Sequence, residues 1–341
     1  MTTVKSGRIL LVGGYGAVGS AAASALASRF PGRTLIAGRD AARAARLGGV
    51  RADVGDPGGF GRTLDGLGDV AAVVMCVEPP DGAAARACLE RGIGLVDVGA
   101  TRRLLDDIAG LHPVAAAAGA TAVLSVGVAP GLTNLLARRA HEEVGGAERI
   151  DLTVLLGSGE RHGADAVRWT VDHLASPPAA APLRTTLPGF GARTAYAFPF
   201  SDQYTLPRTL GTPRVATRLC LDSRPLTATL FGLRRAARRP AVRRVLNGAF
   251  RRIHLGGDGF AVRADAHRGG RHCAYALTGR AQSRVTGLVA AHVTAELLGG
   301  SLPAGVHHIE ELPVFARLPE ALAENGVTLH RPAFDGPPVR G

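Results

Sequence analysis

The chain has 341 residues, 46% of them hydrophobic and 20% charged, with a formal net charge of +12. That length suits roughly two domains, each able to bury its own core, and it excludes a largely disordered chain. The charge is almost all arginine, dispersed along a sequence with 4% aromatics; that is too few base-stacking platforms for nucleic-acid binding.

Lys5 is the only lysine, and the abundance of Ala, Gly, Pro and Arg looks like a GC-rich coding bias. Cys76, Cys88, Cys220 and Cys273 form no CxxC pair, which reads as reduced thiols of a cytoplasmic protein with no metal site. The N-terminus mimics a signal peptide, but glycines interrupt its apolar run. No uninterrupted apolar stretch reaches the roughly 20 residues of a membrane span. The tail "FDGPPVRG" is expected to fray.

In chain order, "RILLVG", "TLIAG", "VRADV", "VAAVVMCV", "GLVDVG" and "ATAVLSVG" read as strands. Helix-like stretches such as "AVGSAAASALASRF" and "PDGAAARACLERG" separate them. Strands alternating with helices predict a parallel, doubly wound α/β sheet of the Rossmann type over residues 1–128. The continuous apolar run "AVVMCV" fits a strand covered on both faces.

"GYGAVG" places Gly14, Tyr15, Gly16, Ala17, Val18 and Gly19 between the first strand and the first helix. Glycines at these positions permit a tight turn, close approach of a pyrophosphate, and close helix–strand packing. Helix-start N–H groups there would face the anion. The second strand ends in "IAGRD". A small residue followed by Arg39 makes room for a 2′-phosphate and offers it a guanidinium, with Arg43 one turn later, so NADP is the expected cofactor. Alternatively, Asp40 takes the acidic ribose-binding role and Arg39 is solvated. Asp53 and Val54 are expected beside the adenine, and Cys76 and Val77 along the cofactor, because ligands bind at the carboxyl ends of such strands.

After "VLSVG", the segment "VAPGLTNLLARRAHEEV" places Pro130 in a first helical turn. "RIDLTVLLGSG" and "RVATRLCLDSR" read as strands, "ADAVRWTVDHLA" as an amphipathic helix, and "FAVRADAHRGGRHCAYALTGRA" as a hairpin turning at Gly269–Gly270. An α+β substrate domain with a mostly antiparallel sheet is expected over 129–284.

These segments together resemble the saccharopine dehydrogenase-like oxidoreductases, in particular their saccharopine reductase branch. The resemblance rests on "LLVGGYGAVG", "IAGRD", "ACLERGIGLVDVGA", "AAAGATAVLSVGVAPGLTNLLA", "GERHGADAVRWTVDHL", "FPFSDQY" and "GRAQSRVTGLVAAHVTAELLGGSLPAGVHHIEEL". It implies an inserted substrate domain, with residues 285–341 returning to the nucleotide domain, and a homo-oligomer. It also implies hydride transfer between NADP(H) and a carbon–nitrogen bond. The family includes reductases of carbon–carbon double bonds, so an enoyl or carbonyl reductase of a tethered acyl or polyketide chain stays open. So does a non-catalytic NADP-binding scaffold.

Such chemistry needs one proton moved beside the hydride. Lys5 precedes the first strand, so no lysine serves. His162, in the loop "GSGERHGAD", is the first candidate, since imidazole exchanges protons near neutral pH. In "FPFSDQY", Asp202 and Tyr204 are catalytic candidates and Gln203 a substrate contact. Asp97 either faces the nicotinamide or bonds a loop. Arg168 and Trp169 hold a carboxylate, line a pocket, or pack in the core. His307 and His308 are neighbours on a strand and point to opposite faces, which argues against a metal.

"LRRAARRPAVRRVLNGAFRR" contains a basic amphipathic helix. Its apolar stripe is Val242, Val245, Leu246, Ala249, Phe250 and Ile253, opposite Arg243, Arg244, Arg251 and Arg252. Residues 234–253 either contact a membrane surface or an acidic carrier protein, or form an ordinary domain helix with solvated arginines.

Overall fold

The computed structural model describes residues 5–160, 164–252 and 256–331. Two compact units share the chain. The first runs to Gly127 and resumes over Ser283–Phe315; the second takes Val128–Gln282 and, of the described residues, 316–331.

The first unit is a seven-stranded, wholly parallel sheet. Its strands are β1 (Arg8–Val12), β2 (Thr34–Gly38), β3 (Val50–Arg51), β4 (Val70–Met75), β5 (Gly94–Asp97), β6 (Thr121–Leu124) and β13 (Gly305–His308), in spatial order β13-β6-β5-β4-β1-β2-β3. Helices α1 (Ala17–Arg29), α2 (Ala41–Ala45), α3 (Pro57–Leu67), α4 (Ala83–Leu89), α5 (Arg102–Ala109) and α6 (His112–Ala117) connect the strands. The order reverses between β1 and β4, which creates a crevice at their carboxyl ends.

Both sheet faces are covered, as the unbroken apolar strands require. Leu10, Val12, Val73, Met75 and Leu95 pack against Phe60, Leu64, Leu89, Leu104 and Ile108 of α3–α5. On the opposite face lies α12 (Gln282–Leu298), the helix that follows the inserted segment. Its Leu297 presses on Gly94, and a Cβ at Gly287 would stand 2.6 Å from the Val18 carbonyl of α1.

The "VRADV" strand is shorter than expected. β3 stops at Arg51, and the Asp53 carboxylate takes the Gly55 N–H at 3.0 Å, turning the chain away.

The second unit holds a mixed sheet. Its strands are β7 (Arg149–Leu156), β8 (Leu183–Leu187), β9 (Gly191–Ala197), β10 (Arg214–Leu221), β11 (Gly259–Arg268), β12 (Arg271–Arg280) and β14 (Thr328–His330), in order β14-β12-β11-β7-β10-β9-β8. Only the β7–β10 pair is parallel. The hairpin turns at Gly269–Gly270, both in the left-handed region that glycine tolerates. Helices α7 (Thr133–Glu143), α8 (Ala164–Leu174), α9 (Asp202–Thr209), α10 (Arg224–Gly232) and α11 (Pro240–Arg252) complete this unit.

Two expectations are corrected. Pro130 precedes the helix instead of opening it. Ala129, Pro130 and Gly131 are non-helical, with Gly131 at φ +130°, and α7 starts at Thr133. The segment 285–341 does not return as one piece to the first unit. It divides at residue 315, because β14 adds antiparallel to β12 in the second sheet.

Candidate functional site

The crevice of the first unit is built by its glycines. Gly13, at φ +80°, is the residue that makes the tight turn after β1, a role the motif assigned to Gly14. A side chain there would collide with Val77, which brings the β1 and β4 carboxyl ends together. A Cβ at Gly19 would lie 2.7 Å from Gly14 Cα, so α1 docks on the turn only with glycine at that position. Gly16 caps α1 in extended geometry without a side-chain cap, and it is exposed, as is Ala17. The first-turn N–H groups of α1 therefore have no side chain of their own cap to satisfy them, the condition that suits a phosphate. Val18, Cys76 and Val77 are each half-buried around this turn.

At the end of β2, Asp40 caps α2, its Oδ1 accepting the Arg43 N–H at 2.9 Å. One of its two carboxylate oxygens is thereby used in local structure. Arg39 is exposed and forms no hydrogen bond or ion pair among the described residues. Arg43 stacks 4.4 Å above the Tyr15 ring and donates to the Tyr15 carbonyl at 3.2 Å. The Tyr15 ring lies directly on Gly38, where any side chain would collide with it. Glycine at the strand end thus seats Tyr15, and Tyr15 seats Arg43. Val54, expected beside the adenine, instead packs into the core with Phe60 and Leu64.

Asp97 ends β5 and is 1% exposed. Its Oδ1 accepts the Gly99 N–H at 2.8 Å, while Oδ2 is buried with no hydrogen-bond partner among the described residues. Burial pushes its pKa up to about 7, with the Gly99 N–H opposing the rise and the Glu78 carboxylate adding to it. Glu78, which the sequence reading passed over, accepts from Thr101 N at 2.8 Å and Ala100 N at 3.2 Å at the start of α5.

The folded protein holds a proton on Asp97 that the unfolded chain releases above its ordinary value of 3.8. Stability is therefore lost as pH rises from about 4 through about 7. The Asp97→Asn protein is expected to match the parent at about pH 4 and to exceed it by a few kcal/mol at about pH 8. Urea unfolding of the cofactor-free protein across that range checks this; parallel pH curves would refute it.

In the second unit, His162 lies outside the described residues. Asp202 is fully buried at the start of α9, where Oδ2 accepts from Thr133 Oγ1 at 3.0 Å and Oδ1 from Thr217 Oγ1. Beside it, Asn134 Nδ2 donates to Thr205 Oγ1 at 3.4 Å, and Asn134 Oδ1 accepts from Gly131 N at 3.0 Å. This polar box joins α7, α9 and β10. The expected catalytic contact at Asp202 gives way to a structural one, since a fully enclosed carboxylate reaches no substrate. Gln203, 6% exposed, likewise donates to the Phe198 carbonyl at 3.3 Å. Tyr204 is half-buried on α9, and Arg168 is exposed on α8.

Trp169 is brought to the aromatic run, 5.6 Å from Phe198 and 5.5 Å from Phe200 between ring centroids. On its other side it stacks on His173 at 4.4 Å. His173 Nδ1 lies 2.8 Å from the Trp169 carbonyl, which can only accept. The neutral ring therefore carries its hydrogen on Nδ1 and keeps Nε2 as the acceptor. The sequence reading missed His173; its only signal is the i, i+4 spacing from Trp169, which puts both on one helix face.

The basic block is partly spent on the fold. Arg234 donates through Nε to the Leu174 carbonyl at 3.0 Å, bonds the Ala197 carbonyl, and covers the Phe231 ring at 5.3 Å. Arg243 approaches Asp172 of α8 at 3.8 Å. The expected apolar stripe is broken, because Val245 is 71% exposed while Leu246, 100° further round the helix, is buried.

In the first unit, His308 Nδ1 meets Ser125 Oγ at 2.9 Å, and the His307 ring meets His112 edge-on at 5.5 Å. Among the described residues, no group of three or more His, Cys, Asp or Glu is placed to hold a metal, and no helix is long and apolar enough to cross a membrane.

Searches against protein-family models and against curated proteins return no match. Among solved structures, the chain is similar to the DAP dehydrogenase of C. glutamicum in complex with DAP. The identity is 16%, the TM-score 0.51, and the match covers 95% of this chain and 99% of that one. It also matches an engineered D-amino acid dehydrogenase bound to NADP+, at 15% identity and TM-score 0.49, over 93% of this chain and 98% of that one. An oxidoreductase domain protein from Kribbella flavida aligns at 15% identity and TM-score 0.41, over 97% and 99%. The likeness to the DAP dehydrogenase shows the fold: a parallel nucleotide-binding-type sheet followed by a mixed-sheet domain.

Proposed function

We propose that this protein is an NADP-dependent oxidoreductase, a relative of saccharopine reductase, that moves hydride to or from the carbon–nitrogen bond of an amino-acid-derived or specialised-metabolite substrate. The observation that carries the cofactor reading is the end of β2. Asp40 is used as a helix cap, and Arg39 is an exposed guanidinium without a partner among the described residues. The carbon–nitrogen reading rests on the second-half motifs.

The residues present fit the cofactor. Gly16 and Ala17 are exposed at the start of α1, and the first-turn N–H groups there would hold the pyrophosphate. Arg39 and Arg43 would take the 2′-phosphate. Bound NADP supplies or accepts the hydride. The chain's own task is to orient the substrate, exclude water and move one proton. The half-buried Trp169, backed by the buried Phe198 and Phe200, offers an apolar surface, and His173 offers an acceptor Nε2 beside it. His162 shares the candidacy on its sequence context alone.

Turnover of cyclic imines and amino-acid–carbonyl pairs with NADPH tests the reading. The His173→Gln protein is expected to lose about 10²- to 10⁴-fold in kcat at unchanged NADPH affinity. An unchanged rate moves the proton role to His162. Turnover of enones but not imines replaces the carbon–nitrogen reading with the carbon–carbon one. Tight NADPH binding with no turnover on either panel makes the chain a binding protein.

A further inference from the structure

The second sheet ends, around the Gly269–Gly270 turn, in a hollow of about 220 Å³ lined by Arg149, Arg214, His267, Arg268, Arg271 and Glu148. Four strands deliver the four guanidiniums. Arg149 and Arg214 are paired first residues of β7 and β10, and Arg268 and Arg271 face each other across the turn. The four guanidiniums meet only the Glu148 and Asp151 carboxylates here, an excess of positive charge that a bound anion would offset.

Four arginines elsewhere each pair with an acid: Arg8 with Asp69, Arg91 with Asp65, Arg102 with Asp106 and Arg138 with Glu142. Here two of the four are oriented and two are left over. Arg149 Nε is held by Asp151 at 3.0 Å, and Arg271 donates to the Glu143 carbonyl at 2.9 Å. The Arg214 and Arg268 side chains form no hydrogen bond or ion pair among the described residues, and both are exposed.

His267 also lines the hollow, stacked on His272 at 4.6 Å, with Nε2 3.8 Å from Asp151 Oδ2. The charged and titratable groups facing it are Arg149 and Asp151 on β7, Asp265 on β11 and His272 on β12. Burial, Arg149 and His272 hold its pKa below the ordinary value, against the pull of Asp151 and Asp265. An anion in the hollow would offset Arg149 and favour the protonated ring.

We propose that this hollow binds a small oligophosphate, a molecule presenting two or more adjacent phosphate groups, at a site on the second unit that is distinct from the cofactor cradle of the first. Guanidinium forks match phosphate oxygens in pairs, and four of them suit more than one phosphate. The Gly269 and Gly270 positions leave the backbone at the rim uncovered by side chains.

The test is calorimetric titration of the NADPH-saturated protein with inorganic phosphate, pyrophosphate and tripolyphosphate at equal ionic strength. The expected result is an affinity that climbs about tenfold or more from phosphate to tripolyphosphate, with proton uptake visible as a buffer-dependent heat. The Arg214→Ala/Arg268→Ala protein should lose at least tenfold of that affinity and keep its NADPH Kd. Three results overturn the proposal: equal weak binding of all three ions, tripolyphosphate binding that survives the double substitution, or no tripolyphosphate heat. In the last case, vesicles of phosphatidylglycerol and phosphatidylcholine distinguish the source. Sedimentation lost in the double variant then assigns the arginines to a lipid surface in place of a soluble phosphate.

Discussion

Replacing Arg39 by alanine is expected to raise the Kd for NADPH by about 10- to 100-fold and to leave that for NADH within about twofold. A charge-assisted hydrogen bond to a phosphate contributes about 1.5–3 kcal/mol, and each 1.4 kcal/mol is roughly a factor of ten. Arg39 has no competing partner among the described residues, so nothing within the fold compensates for its loss. Arg43→Ala should cost less, because that guanidinium is already committed to the Tyr15 ring and carbonyl. The two substitutions should combine non-additively, since both groups would share one phosphate. The site is exposed, so the preference for NADPH should narrow as salt rises. Fluorescence titration of both cofactors reads this directly. An unchanged NADPH/NADH ratio would return the ribose role to Asp40.

Asp202→Ala should destabilise the second unit by about 3–5 kcal/mol. The substitution leaves the Thr133 and Thr217 hydroxyls facing an empty, buried space and unties α7, α9 and β10 at one point. Asp202→Asn should cost clearly less, because a hydroxyl can rotate to accept from the new amide. Trp169, the only tryptophan, belongs to the same unit and reports its unfolding by fluorescence. A midpoint unmoved in urea, with turnover abolished, would restore Asp202 as a catalytic group.

The two results bear on how far side-chain chemistry can be read without coordinates. The place of Arg39, directly after a strand end, was legible because strands reveal themselves by their apolar runs. Asp202 was not. In "FPFSDQY" it has the look of a polar group presented beside aromatics. Its burial comes from Thr133 and Thr217, 69 residues before and 15 residues after it, which meet it only once the chain has folded. His173 escaped notice for the same reason: the carbonyl that sets its tautomer is local, but the aromatic wall formed by Phe198 and Phe200 is not.

The sequence by itself determined the parallel sheet, the glycine turn, the hairpin and the place of Arg39 after the second strand. Each follows from period, propensity or a fixed spacing within about ten residues, and such signals survive without knowing the partners. Tertiary structure alone decided that the left-handed glycine is Gly13, that Gly38 seats Tyr15 beneath Arg43, and that Asp97 is buried with one bare oxygen. It also decided that Val54 and Asp202 serve the interior, and that four arginines from four strands meet at one turn. Burial and charge convergence are properties of elements brought together from distant parts of the chain. "GYGAVG" therefore carries its meaning locally, while the groups that would choose a substrate or a second anion acquire theirs only on folding.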